Sequence, residues 1–171
     1  MSFVLEKDCI DFTYPTPYQL HFSEYHKPFY INDIDGHIEK LQGTDKDLAA
    51  HFTVINSVGI TWYGKDKEQI FSPVPKEYYL DSIKFDIESA RDDILGNPMY
   101  IILNLCRIYA YMQNNLVLSK KDGGKWGMEN IDIFKNTITK AYNKYVYNKE
   151  TEFSNSELTE FADYMLNKIF D

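Results

Sequence analysis

Little in this sequence invites a disulfide framework, a metal cluster or a membrane span. Two cysteines, Cys9 and Cys106, are its only thiols in 171 residues, which points to a reducing, cytoplasmic setting rather than a stapled secreted fold. Its four histidines, His21, His26, His37 and His51, keep no ligand spacing, and neither HExxH nor CxxC occurs, so no metal site is expected. No apolar run approaches the roughly 18 residues a membrane span requires. The opening "MSFVLEKDCIDF" lacks the basic start and apolar stretch of a secretion signal. Positive charge is scarce too. With 18 Lys and Arg against 26 Asp and Glu the net charge is −8, which opposes attraction to nucleic-acid phosphates and suits a cationic ligand.

What is present is apolar and aromatic: 44% hydrophobic and 16% aromatic residues, on a chain long enough to bury roughly 70% of its unfolded surface. Residues 1–43 read as an irregular arm. "SFVLEK" suits a short strand, and Pro15, Pro17 and Pro28 interrupt the aromatic series Phe12, Tyr14, Tyr18, Phe22, Tyr25, Phe29 and Tyr30 too often for a helix to persist. Those rings either pack against the rest of the chain or wall a ligand pocket.

From residue 44 to 171 the pattern is helical. "TDKDLAAHFTVINSVG" carries Asp45 and Asp47 at its start, where carboxylates complement the helix dipole, and Leu48, Phe52 and Ile55 recur at helical spacing before Gly59. "ITWYG" reads as a short strand. After Pro73 and Pro75 a helix is expected through Leu80, Ile83, Ile87 and Ala90 to Ile94. Asn97–Pro98 restarts the next, "MYIILNLCRIYAYMQNN", apolar almost all round and therefore central. "FKNTITKAYNKYVYN" gives another, and the last opens with a capping box from Ser154 to Glu157. The fold class expected is mainly α: a bundle of five or six helices with a Pro- and aromatic-rich N-terminal arm.

Two features carry chemistry. Arg107 and Asn104 sit three apart in the apolar helix. A guanidinium there must find a partner, either a carboxylate of a neighbouring helix or an anionic ligand. "LSKKDGGKWGMENI", residues 118–131, gathers Lys120, Lys121 and Lys125 around a diglycine. It reads either as a loop approaching a phosphate or as a solvated loop with Trp126 anchored in the core, with a helix beginning at "KWGMENI".

Five stretches, "YPTPYQLHFSEY", "TDKDLAAHF", "IFSPVPKEYYLDSI", "NPMYIILNLCRIYAYM" and "LSKKDGGKWGMENI", in that order, resemble the bacterial aminoglycoside nucleotidyltransferases that adenylylate streptomycin and spectinomycin. The resemblance covers the C-terminal helical domain. The family's Gly-Ser turn has no counterpart, since no Gly-Ser dipeptide occurs, and "DID" at Asp33 and Asp35 and "DKD" at Asp45 and Asp47 follow no such turn. The family's general-base Glu would fall immediately before Met1, and Glu6 is out of register for it. The resemblance thus implies no catalytic residue in this chain.

It does imply ligand contacts. Asp47, Arg107, Lys120 and Tyr145 match the nucleotide side, for an enzyme that uses ATP and Mg2+. Tyr25, Asp93 and Asn97 match the antibiotic side, with Tyr25 where the family has a stacking Trp and Asn97 where some relatives have Asp. On chemistry alone, Tyr145 reads equally as a core aromatic and Asp47 as a helix-start carboxylate. The expected partners are an aminoglycoside-like small molecule and a nucleotidyltransferase domain in cis or trans. The alternative is a stand-alone, non-catalytic binding or interaction module, for which a homodimer is the form to test. An unrelated enzyme with its site in the aromatic arm lacks any nucleophile and base to support it.

Overall fold

The computed structural model of the chain describes residues 1–24, 27–32 and 42–170, with only the backbone described at Phe29 and Asn32. Its contacts separate into two compact units, Met1–Phe85 and Asp86–Asp171.

The first unit begins with β1 (Ser2–Phe3), the strand read from "SFVLEK", and continues through α1 (Glu6–Ile10), β2 (Thr16–Tyr18), β3 (Leu20–His21), α2 (Lys27–Asn32) and β4 (Gly43–Asp45). β1 pairs antiparallel with β3, Phe3 opposite Leu20. β2 pairs antiparallel with β4, Pro17 opposite Thr44. Both sheets have two strands, which is how a proline is tolerated in β2. Thr44 and Asp45 therefore lie in a strand, and α3 (Asp47–Val58) starts two residues later than Asp45. Its first turn is secured by Asp45 Oδ1, which accepts from the Asp47 amide at 2.9 Å. Leu48 and Phe52 of α3 are buried with Cys9, and Phe12, Tyr18, Ile55, Phe71 and Val74 pack on them.

The aromatic arm packs inside this unit wherever it is described. Phe12 meets Phe52 edge-on at 6.0 Å, Tyr14 stacks on Tyr78 at 4.7 Å and Phe22 lies 5.3 Å from Tyr30. "ITWYG" forms no strand. It is an irregular loop with Trp62 93% and Tyr63 99% exposed. Among the described residues its backbone finds no ladder partner, and β propensity needs one to be realised. α4 (Lys67–Ile70) follows, and the Lys67 ammonium bonds the Ile55 and Asn56 carbonyls near the end of α3. α5 (Lys76–Phe85) closes the unit.

The helix expected to continue to Ile94 is interrupted. Past Phe85 the ladder opens into turns with i to i+3 bonds, Ala90 to Ile87 and Asp92 to Ser89, before the short α6 (Ala90–Asp93). The second unit then contains α7 (Pro98–Asn114), α8 (Lys120–Asn130), a 3-10 turn Asp132–Phe134, α9 (Lys135–Tyr147) and α10 (Asn155–Phe170). α7 is the centre of this unit, with Ile102, Leu103, Asn104, Leu105, Cys106 and Ala110 wholly buried. It ends at Asn115 and α9 ends at Asn148, each with φ near 50°, the left-handed cap Asn tolerates better than most side chains. Among the described residues six helices have ten or more residues, and the fold is mainly α.

The diglycine stretch is helix rather than loop. Ser119 caps it, its hydroxyl accepting from the Asp122 amide at 3.1 Å, and α8 begins at Lys120. A Cβ on Gly123 would stand 2.7 Å from Arg107 Cβ, one on Gly124 2.7 Å from Leu103 Cδ2, and one on Gly127 2.8 Å from Cys106 Sγ. The glycines thus bring α8 against the backbone of α7. Lys120 meets Tyr100, Gly124 meets Leu103 and Gly127 meets Cys106. Trp126 is half-buried at the edge, 5.7 Å from Tyr109, with its indole N–H on Asn114 Oδ1.

Candidate functional site

The chemistry of the second unit lines up along α7. Tyr100, Asn104 and Arg107 fall at i, i+4 and i+7, hence on one face, and the first and last are about 10 Å apart along the axis at 1.5 Å per residue. At the N-terminal end of that face lies an open cavity of about 420 Å³ lined by Asp92, Asp93, Gly96, Asn97, Tyr100 and Ile101. Two carboxylates and no cation line it, and a rigid aromatic face forms part of its wall, the complement expected for a cationic ligand. Asp93 is held by Ser89, whose hydroxyl donates to Oδ2 at 2.5 Å. Asn97 occupies the cap position of α7 with Pro98 behind it, but its side chain makes no cap bond.

The Lys120 ammonium lies over the Tyr100 ring, 4.1 Å from its centre, a cation–π distance. One ring therefore serves both the carboxylate-lined cavity and the lysine beside it. Two turns along, Arg107 is one-third exposed: its Nε donates to Asn104 Oδ1 at 2.6 Å, and Nη2 lies 3.9 Å from Asp86 Oδ2. Asn104 Nδ2 donates to the same Asp86 oxygen at 2.8 Å. The carboxylate partner anticipated for this arginine is thus present, with an amide set between the two.

Of the residues matched to the nucleotide side, the structure brings Arg107 and Lys120 to neighbouring positions on α7 and α8. Tyr145 stands on α9, 47% exposed, one turn past Tyr142, whose ring packs on Gly124. Asp47 belongs to the first unit, where its carboxylate meets His51 Nε2 at 3.0 Å. That bond lifts the His51 pKa above its usual 6.5. Of the antibiotic side, Asp93 and Asn97 share the cavity, and Tyr25 lies outside the described residues, as do Asp33 and Asp35. Sequence reasoning passed over Tyr100 and Asp86. The first could have been found by its seven-residue spacing from Arg107, the second as a lone carboxylate amid Ile83, Ile87 and Ala90.

Among the described residues no three His, Cys, Asp or Glu side chains converge closely enough to hold a metal ion. No helix among them is long and apolar enough to cross a membrane.

Two comparisons bear on this geometry. The model of the family described as "Aminoglycoside adenylyltransferase, C-terminal domain" matches residues 69–168, more than half of the chain. The fold is similar to the crystal structure of spectinomycin adenyltransferase AAD(9) from Enterococcus faecialis with ATP and spectinomycin, at TM-score 0.80 and 17% identity, covering 99% of this chain and 67% of that one. At that identity the likeness shows a common fold.

Proposed function

The chain belongs to the family of the aminoglycoside adenylyltransferase C-terminal domain, and on that premise we propose that it is the ligand-gripping part of an adenylyltransferase-like protein. It holds nucleotide and antibiotic, while residues outside these 171 perform the transfer. The observation that carries this reading is the arrangement along α7: a cavity lined by Asp92 and Asp93 at one end, then Lys120 on Tyr100, then Arg107. Opposite charges set side by side suit the two ligands named for AAD(9), a cationic antibiotic and ATP.

In this role the Asp93 carboxylate pairs with an ammonium of the antibiotic and the Tyr100 ring supports its body. Arg107 offers planar N–H groups and Lys120 a point charge to phosphate oxygens. Tyr145 of α9 completes the nucleotide contacts within this unit. Adenylyl transfer joins a ligand hydroxyl to the α-phosphorus of ATP as pyrophosphate leaves. It needs a base within hydrogen-bond reach and clamped phosphate oxygens. Magnesium would supply the clamp, and among the described residues no three His, Cys, Asp or Glu side chains gather to hold it. The 171 residues are therefore inactive alone and complemented by a nucleotidyltransferase domain.

Calorimetry tests the assignment. ATP and spectinomycin are each expected to bind the chain weakly. Arg107→Ala and Lys120→Ala lower ATP affinity about tenfold, the worth of a charge-assisted hydrogen bond, and Asp93→Asn affects only the antibiotic. Absence of heat with ATP and with every aminoglycoside tried, alone and beside a family catalytic domain, would overturn it.

A second reading is a non-catalytic module that self-associates. It is favoured by the exposed apolar residues of the first unit, Trp62 and Tyr63 above all. Light scattering separates the two: a stable homodimer that binds neither ligand supports the second.

A further inference from the structure

We infer that Asn104 and Asp86 are positioning residues for Arg107, a relay that turns the guanidinium's Nη edge outward toward an anionic ligand. The inference rests on the reading that Arg107 contacts phosphate, and concerns how it is made ready to do so. Asn104 is wholly buried in a helix whose other inward residues are apolar, and a buried amide is costly unless both its ends are bonded. Both are. Asp86 is acceptor-only when ionised, so it takes the Asn104 NH2 group at 2.8 Å and thereby fixes which way the amide faces. The Asn104 Oδ1 must then point at Arg107, where it accepts from Nε at 2.6 Å.

The consequence lies in what is left over. Had Asp86 engaged the guanidinium as a two-pronged pair, it would occupy the N–H groups a phosphate needs. With the amide between them, Asp86 is 3.9 Å from Nη2, beyond hydrogen-bond length. Among the described residues the only hydrogen bond of Arg107's side chain is the one from Nε. The stem is fixed as well, because Gly123 of α8 sits against the Arg107 backbone and Cβ, with no room for a methyl group. A planar fork held at its base and exposed at its edge is preorganised for a phosphoryl or other oxyanion group.

The test uses the 171-residue chain, ATP and inorganic tripolyphosphate as probes, and two readouts. Nitrogen-15 NMR of the Arg107 Nε–H reports the relay directly: its exchange with water is slow in the parent chain and fast in Asp86→Asn, where the amide is free to flip. Calorimetry reports the consequence. Removing the Asp86 charge by simple electrostatics would strengthen anion binding. The relay instead predicts that Asp86→Asn weakens both probes about tenfold, the worth of one charge-assisted bond, with an unchanged melting temperature. Asn104→Leu should do the same where it folds, and Asp86→Asn decides the matter where it does not. If Asp86→Asn binds ATP as well as or better than the parent while Arg107→Ala binds it worse, the relay is overturned and the role of Arg107 survives. If Arg107→Ala binds ATP like the parent, or the parent binds neither probe, the reading of Arg107 falls and the relay with it.

Discussion

Arg107 shows how one side chain takes its meaning from its neighbours. Arg107→Lys is expected to fail almost as fully as Arg107→Ala in ATP calorimetry, because an ammonium has no Nε to lodge on Asn104 and no fork to present. Glu157 plays a purely structural part. It accepts from Thr137 at 2.8 Å and from Lys140 at 3.0 Å, joining α9 to α10. Burial would raise its pKa, yet the bonds from Lys140 and Thr137 hold it below the usual 4.5. A carboxyl depressed in the folded state contributes stability above its unfolded pKa, and that contribution is lost as pH falls through the folded value. Glu157→Gln should therefore cost about 1 kcal/mol at neutral pH. In urea titrations the gap between parent and variant should shrink below about pH 4, consistent with that linkage. His51 works in the other direction: raised by Asp47, it adds stability that fades as pH rises above 6.5 and through the folded pKa, by a small amount because both side chains are about half exposed.

At the scale of elements, the glycines of α8 matter more than their weak helix propensity suggests. Gly123→Ala would gain about 1 kcal/mol of intrinsic propensity, but its methyl meets Arg107 Cα at 2.9 Å and Cβ at 2.7 Å, atoms that yield only if α7 and α8 separate. The expected outcome is a net loss of about 1–3 kcal/mol, read by urea unfolding, while Gly96→Ala, whose nearest contact is 3.7 Å, is nearly neutral. Helices whose apolar residues recur at 3.6 spacing, α7 and α10 above all, were legible in the sequence because periodicity and burial agree. α8 was not, since a Gly-Gly pair reads as a loop until α7 lies beside it. The interruption at Asp86–Ser89 was equally hidden: the apolar spacing of Ile83, Ile87 and Ala90 runs straight through it. Of the candidate site, Arg107 and Lys120 stand out by residue type, whereas Asp93 and Asn97 come forward only through the family resemblance. That Asn104 and Asp86 stand behind Arg107, and Tyr100 between Lys120 and the cavity, depends on contacts no one-dimensional pattern contains.

For the molecule as a whole, the net charge of −8 gives a field that repels nucleic-acid phosphates and attracts cations. Met1, Phe3, Leu5, Trp62 and Tyr63 of the first unit are large apolar residues left exposed. Trp62→Ser with Tyr63→Ser is expected to reduce any concentration-dependent association seen by light scattering and to leave any ATP binding by the chain unchanged. The central claim, that this chain grips ligands which other residues join, is tested most directly by mass spectrometry of spectinomycin and streptomycin incubated with ATP, magnesium and the purified chain, with and without a separately produced nucleotidyltransferase domain of the family. The account predicts no adenylylated antibiotic from the chain alone and product when the domain is added, falling with Arg107→Ala. Sustained product from the chain alone, surviving repurification and absent from a mock preparation, would contradict it.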